Sequence, residues 1–538
     1  MKVPLLMGAL TCAFFFAGAR RLVTRLPRRS QAKAGHSSLV TVCALFVSAA
    51  NLFAQGSLTP PGAPAPTMKT LDQVKPGIPI ETLPYTINAA GSYYLTRNLT
   101  GATGISVTAS NVTIDLSGFT ITGPGKNAGT GAIGISGAAA TIVTVRNGKI
   151  LQFPSDGIRL AAVAVIEDIV VDQCGGMGIN AGEQSRVERS RAGATGDIGV
   201  NVGDSSVVNS CIVIVATNFG IKAGFSCQIS QSISNYNSGP GIFAANNAVL
   251  RDCAAAYNTS GGGILAGVQS ALHNCVAYSN TGGFGIEANG GSTLTNCTAA
   301  FNTGSIAIYT TFACTLNNCS AVGNTGTHGI YVESGYGTLT NCSSYSNTVT
   351  YGIYVTRSTM HNCVAAGNIG PVTSSYGIYA SFSSVITNCS AYNNGNTSGT
   401  VTPDAGVGIY ASASTVKDCT CGVNKGDGIQ VVNNSVVEGN NSYLNGNGGD
   451  GAGIHATAFA NRIESNNLVS NDRGIDVDAG GNLIIKNSAR SNTNNYDIAA
   501  DNRYGPIVDL TAAGTAAATG NNAPGTTVNP DPQANFAY

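Results

Sequence analysis

Charge is what this sequence has least of. Its 27 Lys+Arg and 27 Asp+Glu in 538 residues sum to zero and make up 10% of the chain, where an ordinary globular protein carries about 25%. A nucleic-acid binder held by a basic field is excluded, because no charge excess is present to neutralise phosphates. Tryptophan is absent and aromatics are 7%, so the core is not built from large rings. Segments with a sustained 3.6-residue apolar period are missing as well, which excludes helical repeats. Against these absences stand 69 Gly and 43% apolar residues, too many apolar groups for a disordered chain. Small side chains must be buried in bulk.

The zero is a sum of unlike parts. Residues 1–54 contain Lys2, Arg20, Arg21, Arg25, Arg28, Arg29 and Lys33 and no acid, so the remainder holds 20 bases against 27 acids, a net of −7. Two apolar runs, 4–19 and 39–54, flank the basic cluster; each is shorter than the roughly 20 residues of a spanning helix. The second run fits an export signal, with Ser48 and Ala50, or Ala54, before a cleavage point. LTPPGAPAPT within 55–69 reads as a Pro-rich linker. The expected organisation is an export region at 1–54, the linker at 55–69, an N-terminal cap with the first strands at 70–110, a repeat body at 111–505 and a C-terminal cap or tail at 506–538.

The repeat is marked by cysteine. Asn-Cys or Asp-Cys pairs end at Cys253, Cys275, Cys297, Cys319, Cys342, Cys363, Cys389 and Cys419, with steps of 22, 22, 22, 23, 21, 26 and 30. Around each lies a frame of the form L-x-N-C-x-A-x-x-N-x-G-x-G-I; residues 294–302 read LTNCTAAFN and 339–347 read LTNCSSYSN. Short alternating runs such as SGFTIT (117–122), GIYVES (329–334) and NLIIKN (482–487) are bounded by Gly and Asn, residues that tolerate left-handed bends. These predict three- to five-residue strands with one-residue corners, stacked coil on coil at about 4.8 Å. A leucine-rich repeat is the other period of this length, but Leu is scarce and its signature only partly met. An inward Cys column reads as small packing residues, since parallel stacked thiols rarely reach disulfide torsions and lack the convergence a tetrahedral metal needs.

On these residues, together with GSYYLTRNLTG (91–101) and NVTIDLSGFTITG (111–123), the chain resembles the right-handed parallel β-helix proteins of the pectin lyase-like superfold, specifically the secreted bacterial right-handed β-helix repeat group, over about 93–505. The resemblance implies an all-β solenoid of about 17 coils of 21–23 residues. It does not name a chemistry, because that superfold hosts lyases, hydrolases, epimerases and adhesins. The N-T-D, D-D, G-H-G and R-I-K elements of its polygalacturonase-like members do not occur here.

Alternation places the Ile of each Gly-Ile inward and the next residue outward. Those outward residues run Lys222, Phe243, Leu265, Glu287, Tyr309, Tyr331, Tyr354, Tyr379, Tyr410, Gln430, His455 and Asp476. Five tyrosines over about 19 Å can stack on sugar rings, or on one another. Extra residues at 369–376, 395–407 and 446–452 fall at one corner and predict a wall beside a floor formed by Tyr354, Tyr379, Tyr410, Gln430, His455 and Asp476. Tyr309, Tyr331, Tyr354, Tyr379, Tyr410 and Gln430 are therefore the expected glycan-binding residues. Charges are sparse along the stripe, six in 223–416, and dense after it, 18 in 417–509. That confines acid–base chemistry to Asp427, Asp450, His455 and Asp476, whose paired carboxylates suit glycoside hydrolysis. Asp450, Asp476 and Asp478 are a weaker calcium candidate; no other cofactor is implied. The expectation is an exported, monomeric protein at the cell surface, in the periplasm or outside the cell. It binds polysaccharide or a surface glycan, or serves a structural role, and contacts neither nucleic acid nor, after signal removal, membrane. The alternative is a glycoside hydrolase or polysaccharide lyase acting at the C-terminal coils.

Overall fold

The structure is a computed structural model that describes residues 77–129, 131–370, 374–397, 405–446, 451–509 and 531–538. The chain divides into residues 1–68 and 69–538; all described residues lie in the second unit. The export region, the Pro-rich linker and Asp450 fall outside the described residues.

Every paired strand among them runs parallel to its neighbours, in about 18 turns of an all-β solenoid. Each coil contributes a strand to three stacks. In one coil these are Ile306–Thr310 in stack one, Thr315–Asn317 in stack two and Ser320–Val322 in stack three. Register is strict: Tyr309 pairs with Tyr331, Leu316 with Leu339 and Ala321 with Ser344. Parallel pairing begins at Ile78, which lies against Tyr93. It ends with Asn535–Ala537, which lies between Ser488–Arg490 and Ile507–Asp509.

The corners explain the frame. In the coil around Cys297, the left-handed residues are Asn296 (φ 53°) and Phe301 (φ 54°), followed by Ala313 (φ 54°). The Asn of each Asn-Cys step is thus a one-residue corner, and Asn is the non-glycine residue that accepts this backbone most readily. Directly after the corner the chain turns inward, burying Cys297 and, after Phe301, Asn302. The Ile of each Gly-Ile fills the centre; Ile308, Ile330, Ile353, Ile378 and Ile409 are fully buried. Leu294, Leu316 and Leu339 face them from stack two and Ala299 and Ala321 from stack three.

Two long buried asparagine ladders, with a shorter one through Asn461, Asn482 and Asn502, hold the coils in register. Asn237, Asn258, Asn280, Asn302, Asn324, Asn347, Asn368, Asn394, Asn424, Asn445 and Asn471 form one, in which each amide Nδ2 donates to the Oδ1 of the next coil, as Asn324 does to Asn347 at 2.9 Å. The other runs Asn440, Asn466, Asn487 and Asn535, in the column that Cys occupies upstream. The Gly of Gly-Ile follows from the first ladder. A Cβ on Gly377 would lie 2.5 Å from Asn394 Nδ2 and 2.7 Å from the Gly408 carbonyl, so no larger residue fits. All thirteen described cysteines are buried and free, and burial pushes the thiols of Cys174 and Cys211 up to about 11.

Candidate functional site

Stack one carries the outward residues expected from the sequence in unbroken register: Lys222, Phe243, Leu265, Glu287, Tyr309, Tyr331, Tyr354, Tyr379, Tyr410, Gln430, His455 and Asp476 pair in succession, and Asp497 continues the column. A second column, missed at the sequence level, runs beside it one residue before the Gly of Gly-Ile. It contains Phe284, Ile306, His328, Tyr351 and Tyr376. Reading that position along the repeat, F-G-I-E, H-G-I-Y, Y-G-I-Y, would have exposed it.

The two columns interlock. Tyr354, Tyr379 and Tyr410 stack with centroids 4.7 and 4.4 Å apart and planes within 8°. Tyr351 stacks on Tyr376 at 5.5 Å, while meeting Tyr354 and Tyr379 edge-on at 86° and 78°. His328 sits between Tyr331 and Tyr351, and burial lowers its pKa to about 4, so the ring is neutral. Of the two arrangements the sequence left open, stacking on sugar or on one another, these rings adopt the second. For Tyr354, Tyr379 and Tyr410 the coil spacing equals a ring-stacking distance and the rings cover each other, whereas Tyr331 meets Tyr354 edge-on at 87° and Tyr309 at a tilt of 47°. What reaches solvent is a half-buried grid of ring edges and hydroxyls. The Tyr309 hydroxyl is already engaged, donating to the Glu333 carboxylate.

Beyond Tyr410 the same columns become polar and close over. Gln430, His455 and Asp476 are 5%, 6% and 3% exposed, so they do not line the open floor that the sequence led us to expect. Their side chains are drawn onto one another. His455 Nδ1 lies 2.8 Å from Asp427 Oδ2, and Asp427 Oδ1 accepts the Ala452 amide at 2.7 Å. His455 Nε2 is 3.0 Å from Asp478 Oδ2 and 3.8 Å from Asp476 Oδ2. Arg473 pairs with Asp476 and reaches Asp497 at 3.5 Å. Arg473 and Asp497 had not been singled out from the sequence. Burial alone would depress the imidazole, but the hydrogen bond and charge of Asp427, with Asp478 and Asp476, hold His455 at about 9. Burial raises Asp476, opposed by His455 and Arg473. Asp478 and Asp497 open this cluster to solvent, with 56% and 51% of their side chains exposed.

Ligand atoms of His455, Asp476 and Asp478 lie within 4.8 Å of one another. A divalent cation there would use Nε2 and two carboxylates, with Asp427 orienting the ring through Nδ1. This differs from the expected calcium set in taking a nitrogen, which calcium disfavours.

A family model described as the right handed beta helix region matches residues 218–337 and 323–468. Among solved structures, the A-module of mannuronan C-5 epimerase AlgE4 from Azotobacter vinelandii is 11% identical over 61% of this chain and 86% of its own, with a TM-score of 0.25. The periplasmic alginate epimerase AlgG is 11% identical over 76% of this chain and 77% of its own, at 0.25. The Dettilon tailspike protein is 13% identical over 74% of this chain and 60% of its own, at 0.23. No curated protein matches the sequence, and no helix among the described residues is long and apolar enough to cross a membrane.

Proposed function

Taking as premise that the chain is a right-handed parallel β-helix repeat protein of the pectin lyase-like superfold, we propose that it binds polysaccharide along the outward face of stack one. The observation that carries this reading is the pair of in-register aromatic columns from Phe284 to Tyr410. Over the same coils, stacks two and three present mostly Thr, Ser, Asn, Val and Ala outward, with Tyr345 and Tyr392 as isolated rings, so the coil itself does not call for two adjacent aromatic columns. Ring edges flanked by hydroxyls, repeating once per coil at about 4.8 Å, offer a row of hydrogen-bonding groups beside apolar surface, the mixture that sugar hydroxyls and C–H faces require. The basic and apolar composition of residues 1–54 supports export of the protein to where such polymers are met, at the cell surface, in the periplasm or outside the cell.

The expected signature is loss of binding at the stripe alone. In affinity electrophoresis against a panel of polysaccharides, Tyr354→Ala with Tyr379→Ala weakens retention by roughly tenfold, the scale of two lost aromatic contacts. Asp476→Ala leaves retention intact. A double variant retained as strongly as the wild type would remove the stripe from the binding account.

A second reading, a glycoside hydrolase or polysaccharide lyase, is favoured by one observation. Asp427, His455, Asp476 and Asp478 converge on the same face directly after the stripe. Asp476, raised by burial, is the general-acid candidate, with Asp478 the exposed carboxylate beside it. This reading expects new reducing or unsaturated ends from a bound polymer, abolished by Asp476→Ala. Bound polymer left intact by the wild type rejects it.

A further inference from the structure

Resting on the polysaccharide reading above, we infer that the ligand is an uncharged polysaccharide and that the face excludes polyanionic ones. Between Lys222 and His455, stack one presents three outward columns: the one through Tyr309 and Tyr331, the one through Phe284 and His328, and a third two residues after the first, which includes Glu333. They carry the carboxylates Glu287, Glu333 and Asp427 and, among the described residues, no cation. His328, the one basic side chain in the column before the Gly of Gly-Ile, is held neutral by burial. The nearest cations are engaged at the margins. Lys222 and Arg357 sit over the Phe219 and Phe382 rings, each 5.5 Å from the centroid. Lys425 donates to Asn396 Oδ1 at 2.6 Å.

The carboxylates do not invite a cationic polymer either. Glu333 accepts the Tyr309 hydroxyl, Glu287 accepts Asn289 Nδ2 at 3.2 Å, and Asp427 is buried against His455. The polar end repeats the pattern, with His455 enclosed by Asp427, Asp476 and Asp478, and Arg473 shared by Asp476 and Asp497. A polyuronate or sulfated chain laid along the columns would bring repeated negative charge over fixed carboxylates with no guanidinium to receive it. Each such approach near 4 Å is repulsive and uncompensated. A neutral chain meets only hydroxyls, amides and ring edges.

The test is affinity electrophoresis of the full chain at low and at raised salt in gels containing galactomannan, xylan, polygalacturonate or chitosan, with Tyr354→Ala plus Tyr379→Ala run beside the wild type. The expected result is Tyr-dependent, salt-independent retention by a neutral polymer. Its dissociation constant should be at least roughly tenfold below that for polygalacturonate, as one like-charge contact demands. Glu287→Gln with Glu333→Gln should admit polygalacturonate at low salt. Tyr-dependent retention by polygalacturonate or by chitosan alone would overturn the uncharged class while leaving the polysaccharide reading standing. Retention by none of the four, or retention unaffected in the Tyr variant, would overturn both.

Discussion

Asn324 condenses the logic of the coil into one side chain. Its Oδ1 accepts the amide and Nδ2 of Asn302 at 2.9 and 3.0 Å, and its Nδ2 donates to the Ala299 carbonyl and to Asn347 Oδ1, both at 2.9 Å. Removing it strands donors on one neighbour and acceptors on others in a site without water access. Asn324→Ala should therefore cost about 3 kcal/mol in chemical denaturation. Asn324→Asp should cost more, because it keeps the acceptor but loses the donor and buries a charge. His455 adds a pH dependence. Its folded-state value of about 9 stands above the ordinary 6.5, so its stabilising contribution is fully present below about pH 6.5 and is lost as pH rises through 9. Unfolding free energies of wild type and His455→Gln should differ most below pH 6.5, by on the order of 3 kcal/mol, and converge above pH 9. A constant difference across that window would contradict a protonated His455. At this scale the sequence is uneven. The frame Asn was visible as a marker, yet its amide partners lie a full coil away. The pairing of Asp427 with His455 spans 28 residues and is set by the coil length rather than by any local motif.

The ladder columns are exchangeable parts, because each requires only a small inward group that accepts the amide of the preceding coil. Cys363 N donates to Cys389 Sγ at 3.4 Å, and across the boundary Cys419 N donates to Asn440 Oδ1 at 2.8 Å. Asparagine is the better acceptor and also a donor. Cys419→Asn should thus extend the lower ladder by one step and stabilise the protein by up to about 1 kcal/mol, while Asn440→Cys should destabilise it, both read from urea midpoints. Strand positions, corner residues and the inward Ile were readable from period and alternation, since every coil repeats the same three bends. The second aromatic column was equally readable but sits before the Gly, a position that draws attention as a turn. The stacking of the rings was not readable, because it depends on the match between coil rise and ring thickness.

Across the whole molecule, the low charge noted at the outset resolves into a pattern on one face. An aromatic, carboxylate-bearing stretch extends from Glu287 to Tyr410 and passes into a closed network around His455. The coil-on-coil solenoid followed from the repeat, and the charge-dense C-terminal coils from composition. Their closure did not, since it arises from side chains on three successive coils folding together. The account stands on polysaccharide lying along stack one. Hydrogen–deuterium exchange of the protein with and without the neutral polysaccharide it retains most strongly tests this most directly. Protection confined to 284–288, 306–310, 328–332, 351–356, 375–381 and 405–412 is predicted. Protection centred on stacks two or three, or no polymer-induced protection at all, would contradict it.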